Sequence, residues 1–235
     1  VKVVFILVRP AVAENIGAAA RAIKTMGFSQ LRIVGSDQQR EKKARILAHG
    51  AVDILSAAQS FDSLAAAIED VDWVIATSAK ARLGKRFSYA ADQLQDLVVA
   101  KVDTLNQVAV VFGCEESGLS NSDLQLCDCL SYIPIAQPYP SLNLGQAVMI
   151  FAYSLRQLAS ADGEGLAPVL TNPEAGDFVV LKRRLQTLLG ALNLEREHKL
   201  HRWATERLAV LASSDIKFLH MLLNKLEQQL RRDEY

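Results

Sequence analysis

Cysteine is scarce in this chain of 235 residues: Cys114, Cys127 and Cys129 form an odd and sparse set. Such a set does not staple a secreted fold, so a reducing cytoplasm is the expected compartment. Cys127-Asp-Cys129 does not read as a zinc site, because no second ligand pair or nearby His accompanies it, and no metal is expected. Long apolar runs are also lacking. The longest, around Val108–Phe112 and Ala147–Tyr153, fall far short of the roughly 20 residues that a membrane helix needs. The start carries no basic stretch ahead of a hydrophobic one, so neither membrane spanning nor export is expected. The chain opens at Val1 rather than Met, and a short leading stretch is expected before it. Charge of one sign is absent, with 26 Lys+Arg against 26 Asp+Glu. No global field draws the protein to nucleic acid or anionic lipid, so any such contact must be local.

Several nucleotide and hydrolase signatures are missing. Between Arg9 and Gly17 there is one glycine where a dinucleotide turn of the form Gly-x-Gly-x-x-Gly needs three, and no Gly-x-x-x-x-Gly-Lys-Ser/Thr loop exists. Ser117 and Ser141 lack a Gly-x-Ser-x-Gly elbow, and of the histidines (His49, His198, His201, His220) three lie in the last forty residues, which disfavours serine-hydrolase chemistry.

What is present is apolar material for a full core, half of all residues. Short β-branched runs predict strands at Val3–Val8, Leu31–Val34, Trp73–Thr77, Val108–Phe112 and Leu130–Ile135. Amphipathic stretches predict helices at Asn15–Met26, Gln39–Ala48, Ser63–Ile68, Ala91–Ala100, Ser122–Cys127 and Asn143–Leu158, with Ser60 and Ser120 as capping residues. The alternation predicts an α/β fold with a mostly parallel sheet and flanking helices over residues 1–159. Residues 160–176 concentrate Gly, Pro and polar residues and read as a linker. Residues 177–235 read as a C-terminal helical extension, with one-sided stripes at Leu181, Leu185, Leu188 and Leu192 and at Ile216, Leu219, Leu223, Leu226 and Leu230. Residues 176–235 hold 11 Lys+Arg and 8 Asp+Glu, an excess that permits RNA contact without requiring it.

On helix Asn15–Met26, Ile16, Ala19, Ala20, Ile23 and Met26 share one stripe, while Arg21 points roughly opposite on the side of Glu14. Arg21 is therefore not a core residue; it is either an ordinary solvated arginine or a ligand contact, and Asn15 has a plain reading as the helix cap. Val110 to Ser120 runs a buried strand into an acidic loop flanked by Gly113 and Gly118, which allow close approach to a ligand or a plain turn. Asn143 with Gln146 has the spacing of a capping box. Lys80, Arg82, Lys85 and Arg86 form either a solvated loop or a grip on phosphates.

In order, Asn15-Ile-Gly17-x-x-x-Arg21, then Phe112-Gly113-x-Glu115-x-x-Gly118-Leu119, then Ile133-Pro134 followed by Ser141-Leu142-Asn143-Leu144, resemble the three signature motifs of SPOUT-superfamily RNA 2′-O-ribose methyltransferases. Within that superfamily the chain resembles the SpoU/TrmH class and its TrmJ/LasT-like group. The resemblance implies a trefoil knot in the C-terminal part of the α/β domain, S-adenosylmethionine as methyl donor, and a homodimer. It implies that Thr77, Ser78, Ala79, Gly113, Glu115, Ile133, Ser141, Leu142 and Asn143 hold the donor. Arg21, Asn15 from the dimer partner, and Ser141 are then the catalytic set, acting on tRNA or, next, rRNA. Arg21 is expected to fix phosphate and stabilise developing alkoxide charge; a guanidinium with pKa above about 12 is a poor base. Glu115 is expected to organise its loop and touch the dimer partner, and Glu116 to be solvated. The stretch Arg9 to Glu14 departs from the TrmJ pattern, so anticodon-loop specificity does not transfer. Arg196, Lys199, Arg202 and Trp203 would either hold RNA or stand beside a dimer-packing stripe. The competing reading is a catalytically silent RNA-binding protein of the same fold.

Overall fold

The computed structural model of the chain describes residues 1–79, 88–102, 104–136, 142–159, 177–194, 199–209, 211 and 213–233. The strands are β1 (Lys2–Val8), β2 (Gln30–Val34), β3 (Gln59–Phe61), β4 (Trp73–Ser78), β5 (Ser88–Ala90), β6 (Gln107–Phe112) and β7 (Cys129–Tyr132). The helices are α1 (Ala13–Thr25), α2 (Lys42–Ala48), α3 (Val52–Ser56), α4 (Leu64–Ala67), α5 (Leu94–Val99), α6 (Asn121–Gln125), α7 (Leu144–Ser154), α8 (Arg156–Ala159), α9 (Asp177–Ala191), α10 (Lys199–Ala209) and α11 (Ser213–Asp233).

The described strands form one parallel sheet in the order β3-β2-β1-β6-β4-β7-β5. Side chains alternate across it as the pleat requires. Phe5, Leu7, Trp73, Ile75, Val110 and Phe112 face a core shared with α1, α5 and α7, while Val4, Ile6, Val74, Ala76 and Val111 face a second core with α4 and α6. Burial of both faces explains the near-continuous apolar runs of β1, β4 and β6.

The boundaries differ from the sequence expectation in ways that have local causes. The run Leu130–Ile135 leaves the ladder after Tyr132, where Pro134 has no N–H to donate. Helix α1 begins at Ala13 with Val12 in the capping position, so Asn15 lies inside the first turn and is not the cap. Ser63, not Ser60, caps α4 by accepting from the Ala66 amide; Ser60 sits in β3 and accepts from Gln39 Nε2. The stretch Gln39–Ala48 is broken at Glu41, whose backbone is extended. Of the segment implied to be knotted, residues 137–141 lie outside the described residues.

Helix α1 lies against α2 at minimal separation: a Cβ on Gly17 would come within 2.1 Å of the Ala44 carbonyl oxygen. Glu14 pairs with Lys43 at 3.2 Å, and Lys24 Nζ donates to the Gly50 carbonyl and to Asp53. The C-terminal helices join the first core through Phe178, Leu181, Leu188, Leu208, Ile216 and Leu223, while Leu192 and Leu226 are exposed. Buried Lys101 lies under the rings of Trp73 and Phe178 and donates to the Leu211 carbonyl. Lys182 on α9 pairs at 2.7 Å with buried Asp128, which also accepts from the Val74 amide. The expected linker, 160–176, lies outside the described residues.

Candidate active site

A cavity of about 550 Å³ opens at the carboxyl ends of β4, β6 and β7, the edge of a parallel sheet where ligands bind. Thr77, Ser78 and Ala79 line it from the end of β4, and Thr77 is anchored by its hydroxyl to the Val111 carbonyl at 3.0 Å. Gly113 and Glu115 line it from the loop after β6, and Ile133 and Leu142 from the connection between β7 and α7. Three segments far apart in sequence, the end of β4 and the loops that carry the second and third motifs, therefore meet on one cavity. Gly113 is required by the backbone itself: a Cβ there would meet the Gly118 carbonyl carbon at 2.2 Å and the Leu119 nitrogen at 2.3 Å. Gly118, at φ +68°, turns the loop back so that it pairs with Cys114.

Glu115 ties this loop to the one before α1. Its carboxylate accepts from the Ala11 amide at 3.0 Å and from Asn15 Nδ2 at 2.9 Å. Partial burial opposes its ionisation, but these hydrogen bonds outweigh that and hold the carboxyl below its ordinary range. Asp123, in the first turn of α6, does the same. Burial opposes its charge, yet the Ser120 hydroxyl and amide and the Arg9 guanidinium together depress its pKa. Arg9 itself has a left-handed backbone, φ 51°. The β1–α1 loop is thus tied at its start to α6 through Arg9 and at its end to the β6–α6 loop through Ala11 and Asn15.

Glu115 has the loop-organising contacts expected of it, and Glu116 is exposed at the cavity rim. Arg21 is exposed, as its place opposite the apolar stripe requires, and is not among the cavity-lining residues. Asn15 does not line the cavity either; it reaches Glu115 of its own chain. Asn143, expected to hold the donor, does not line the cavity. Its side chain accepts from the Gln146 amide and Gln146 returns the bond, completing the capping box of α7. Ser141 and the basic loop Lys80, Arg82, Lys85 and Arg86 lie outside the described residues, as does Arg196. Lys199 and Trp203 on α10 are exposed.

Sequence reasoning missed part of the wall. Leu144, Ala147 and Phe151 of α7 line the cavity from one stripe of the helix, together with Leu124 of α6 and Ile135. The spacing of the α7 residues signals a buried face, but only packing shows that it turns toward the cavity. Among the described residues, no cluster of His, Cys, Asp and Glu could hold a metal ion, and no helix is long and apolar enough to cross a membrane.

Comparison with known proteins gives a consistent result. Residues 2–153 match the SpoU rRNA Methylase family, and residues 175–230 match the C-terminal domain of tRNA/rRNA methyltransferase LasT. The chain is 40% identical over 231 residues to the Escherichia coli (strain K12) protein named "Uncharacterized tRNA/rRNA methyltransferase LasT", covering 98% of this chain and 100% of that one. It is 33% identical to tRNA (cytidine/uridine-2′-O-)-methyltransferase TrmJ of Klebsiella pneumoniae, covering 95% and 96%. The crystal structure of TrmJ from Z. mobilis ZM4 superimposes with a TM-score of 0.63 at 28% identity, covering 97% of this chain and 99% of that one.

Proposed function

We propose, from the premise that this chain belongs to the SpoU rRNA Methylase family and carries a LasT-type C-terminal domain, that it transfers a methyl group from S-adenosylmethionine to a ribose 2′-hydroxyl of RNA, with tRNA as the substrate. The observation that carries this reading is the convergence of Thr77–Ala79, Gly113–Leu119 and Ile133/Leu142 on one cavity. The residues present fit the donor: Leu119, Ile133, Leu142 and Leu144 give apolar walls for a purine, beside a glycine loop that brings main chain to the rim. When bound, the donor supplies an electrophilic methyl on a sulfonium.

The protein's share is placement and charge. Arg21, held outside the core on α1, anchors the ribose phosphate and steadies negative charge that develops on the attacking oxygen. Ser141 takes part in holding donor and ribose. Because Arg21 and Asn15 do not line their own chain's cavity, a second copy supplies them, and the working unit is a homodimer. The α/β domain ends at residue 159, residues 160–176 link it to the helical extension at 177–235, and an RNA substrate places the protein in the cytoplasm.

The test separates binding from transfer. Donor at about a hundred times its Kd should stabilise the protein by roughly 2.7 kcal/mol in thermal melts. Arg21→Ala should keep that shift and lose transfer to tRNA by about 100- to 1000-fold, the scale of one lost charge-stabilising donor. Absence of any shift removes the donor from the reading; undiminished turnover removes Arg21.

A further inference from the structure

The chain is neutral overall, so a local basic surface stands out. Residues 38–48, the turn before α2 and α2 itself, hold Arg40, Lys42, Lys43 and Arg45 against one acid, Glu41. All four cations are exposed. Arg40 pairs with Asp37 only at 3.5 Å and Lys43 with Glu14 at 3.2 Å, both open to solvent, and such pairs are worth little against a polyanion.

The placement of this surface is specific. At about 100° per residue, Glu14, Gly17, Arg21 and Lys24 fall within one narrow arc of α1. Three of the four touch the α2–α3 stretch: Glu14 through Lys43, Gly17 through the backbone of Ala44 and Ala48, and Lys24 through Gly50 and Asp53. Arg21 therefore lies on the flank of α1 that borders α2. The Gly17 approach, with no side chain between the two backbones, fixes the distance between the helices.

We infer that α2 and the turn before it form a phosphate-binding track, which receives the RNA backbone flanking the nucleotide engaged by Arg21. The inference rests on the RNA methyltransferase reading above. Arg21 addresses one nucleotide, and the α2 cations hold the neighbouring phosphates of the same strand. Their chemistry is charge rather than base recognition, so they contribute affinity and register without sequence preference.

The experiment uses the full chain, unmodified tRNA and a KCl series. The triple variant K42Q/K43Q/R45Q, changed only at exposed positions, should bind tRNA about tenfold more weakly near 0.1 M salt. The slope of log affinity against log salt should fall by about 2, as expected for three lost single-strand phosphate contacts. KM for tRNA should rise more than kcat falls, and the melting shift produced by S-adenosylmethionine should be retained. The charge-preserving variant K42R/K43R/R45K should restore both affinity and slope. An unchanged slope in the triple variant overturns the track and leaves the methyltransferase reading standing. Failure of the wild-type protein to bind or methylate any tRNA or rRNA overturns both. Equal loss of donor-induced stabilisation would show damage to the fold instead and would likewise overturn the track.

Discussion

Asn15 donates through Nδ2 to Glu115 Oε1 at 2.9 Å, joining two motifs that are 100 residues apart in the chain. One side of this bond is the first turn of the helix that carries Arg21; the other is the loop that walls the cavity. The Ala11 amide adds a second bond to the same carboxylate. Glu115 is thus a positioning residue, which sets where α1 begins relative to the cavity.

The Asn15–Glu115 pair should behave as a unit. Glu115→Ala should cost about 1–2 kcal/mol of stability, because a charge-assisted bond is lost and the Ala11 amide loses its partner. Asn15→Ala should cost less. In urea denaturation, the double variant should be about 1 kcal/mol less destabilised than the sum of the singles. Strict additivity would mean that the contact carries no coupling.

Gly113 offers a sharper perturbation. In Gly113→Ala the new methyl meets main-chain atoms of Gly118 and Leu119 closer than any real contact, and backbone cannot swing aside as a flexible side chain can. The loop must open, at about 1–3 kcal/mol on the scale of overpacking. Donor affinity should fall with it, since the same loop walls the cavity. Calorimetric titration with S-adenosylmethionine alongside a thermal melt checks both; normal affinity in a destabilised protein would detach Gly113 from the donor site.

The fold was legible where burial writes a strong pattern. β1, β4 and β6 lie in the middle of the sheet, buried on both faces, and their apolar runs announce them. β3 and β5 were not legible. They are three-residue edge strands whose existence depends on pairing with β2 and β7, not on their own residues. α3 hid for the same reason: five residues are too few to show a period. At the site, the motif residues named the loops, and the glycines pointed to Gly113 as a place of close approach. The spacing of Asn143 and Gln146 announced the capping box that the structure shows, with the Asn143 side chain accepting from the Gln146 amide. The Arg9–Asp123 and Asn15–Glu115 links could not be read at all, since both depend on which loops the parallel crossovers bring together.

Lys101 gives the fold a measurable pH signature. Its side chain is buried, lies under Trp73 and Phe178, and donates to the Leu211 carbonyl beyond α10. Burial disfavours the charged amine more than Cys129 and Asp128 favour it, so its pKa falls from 10.5 to about 8. Between those values the unfolded chain holds a proton that the native protein has released, so unfolding free energy rises with pH across this window and the gain is lost as pH falls through about 8. Lys101→Met removes the titration while keeping an unbranched apolar chain in place. The wild type should therefore gain on Lys101→Met by about 2 kcal/mol between pH 7.5 and 9.5, because titrating groups that do not interact with Lys101 cancel in the difference. Urea midpoints of both proteins at the two pH values measure it. A constant gap would mean that Lys101 keeps its ordinary proton affinity, and that its contact with Leu211 is made by an amine that water still reaches.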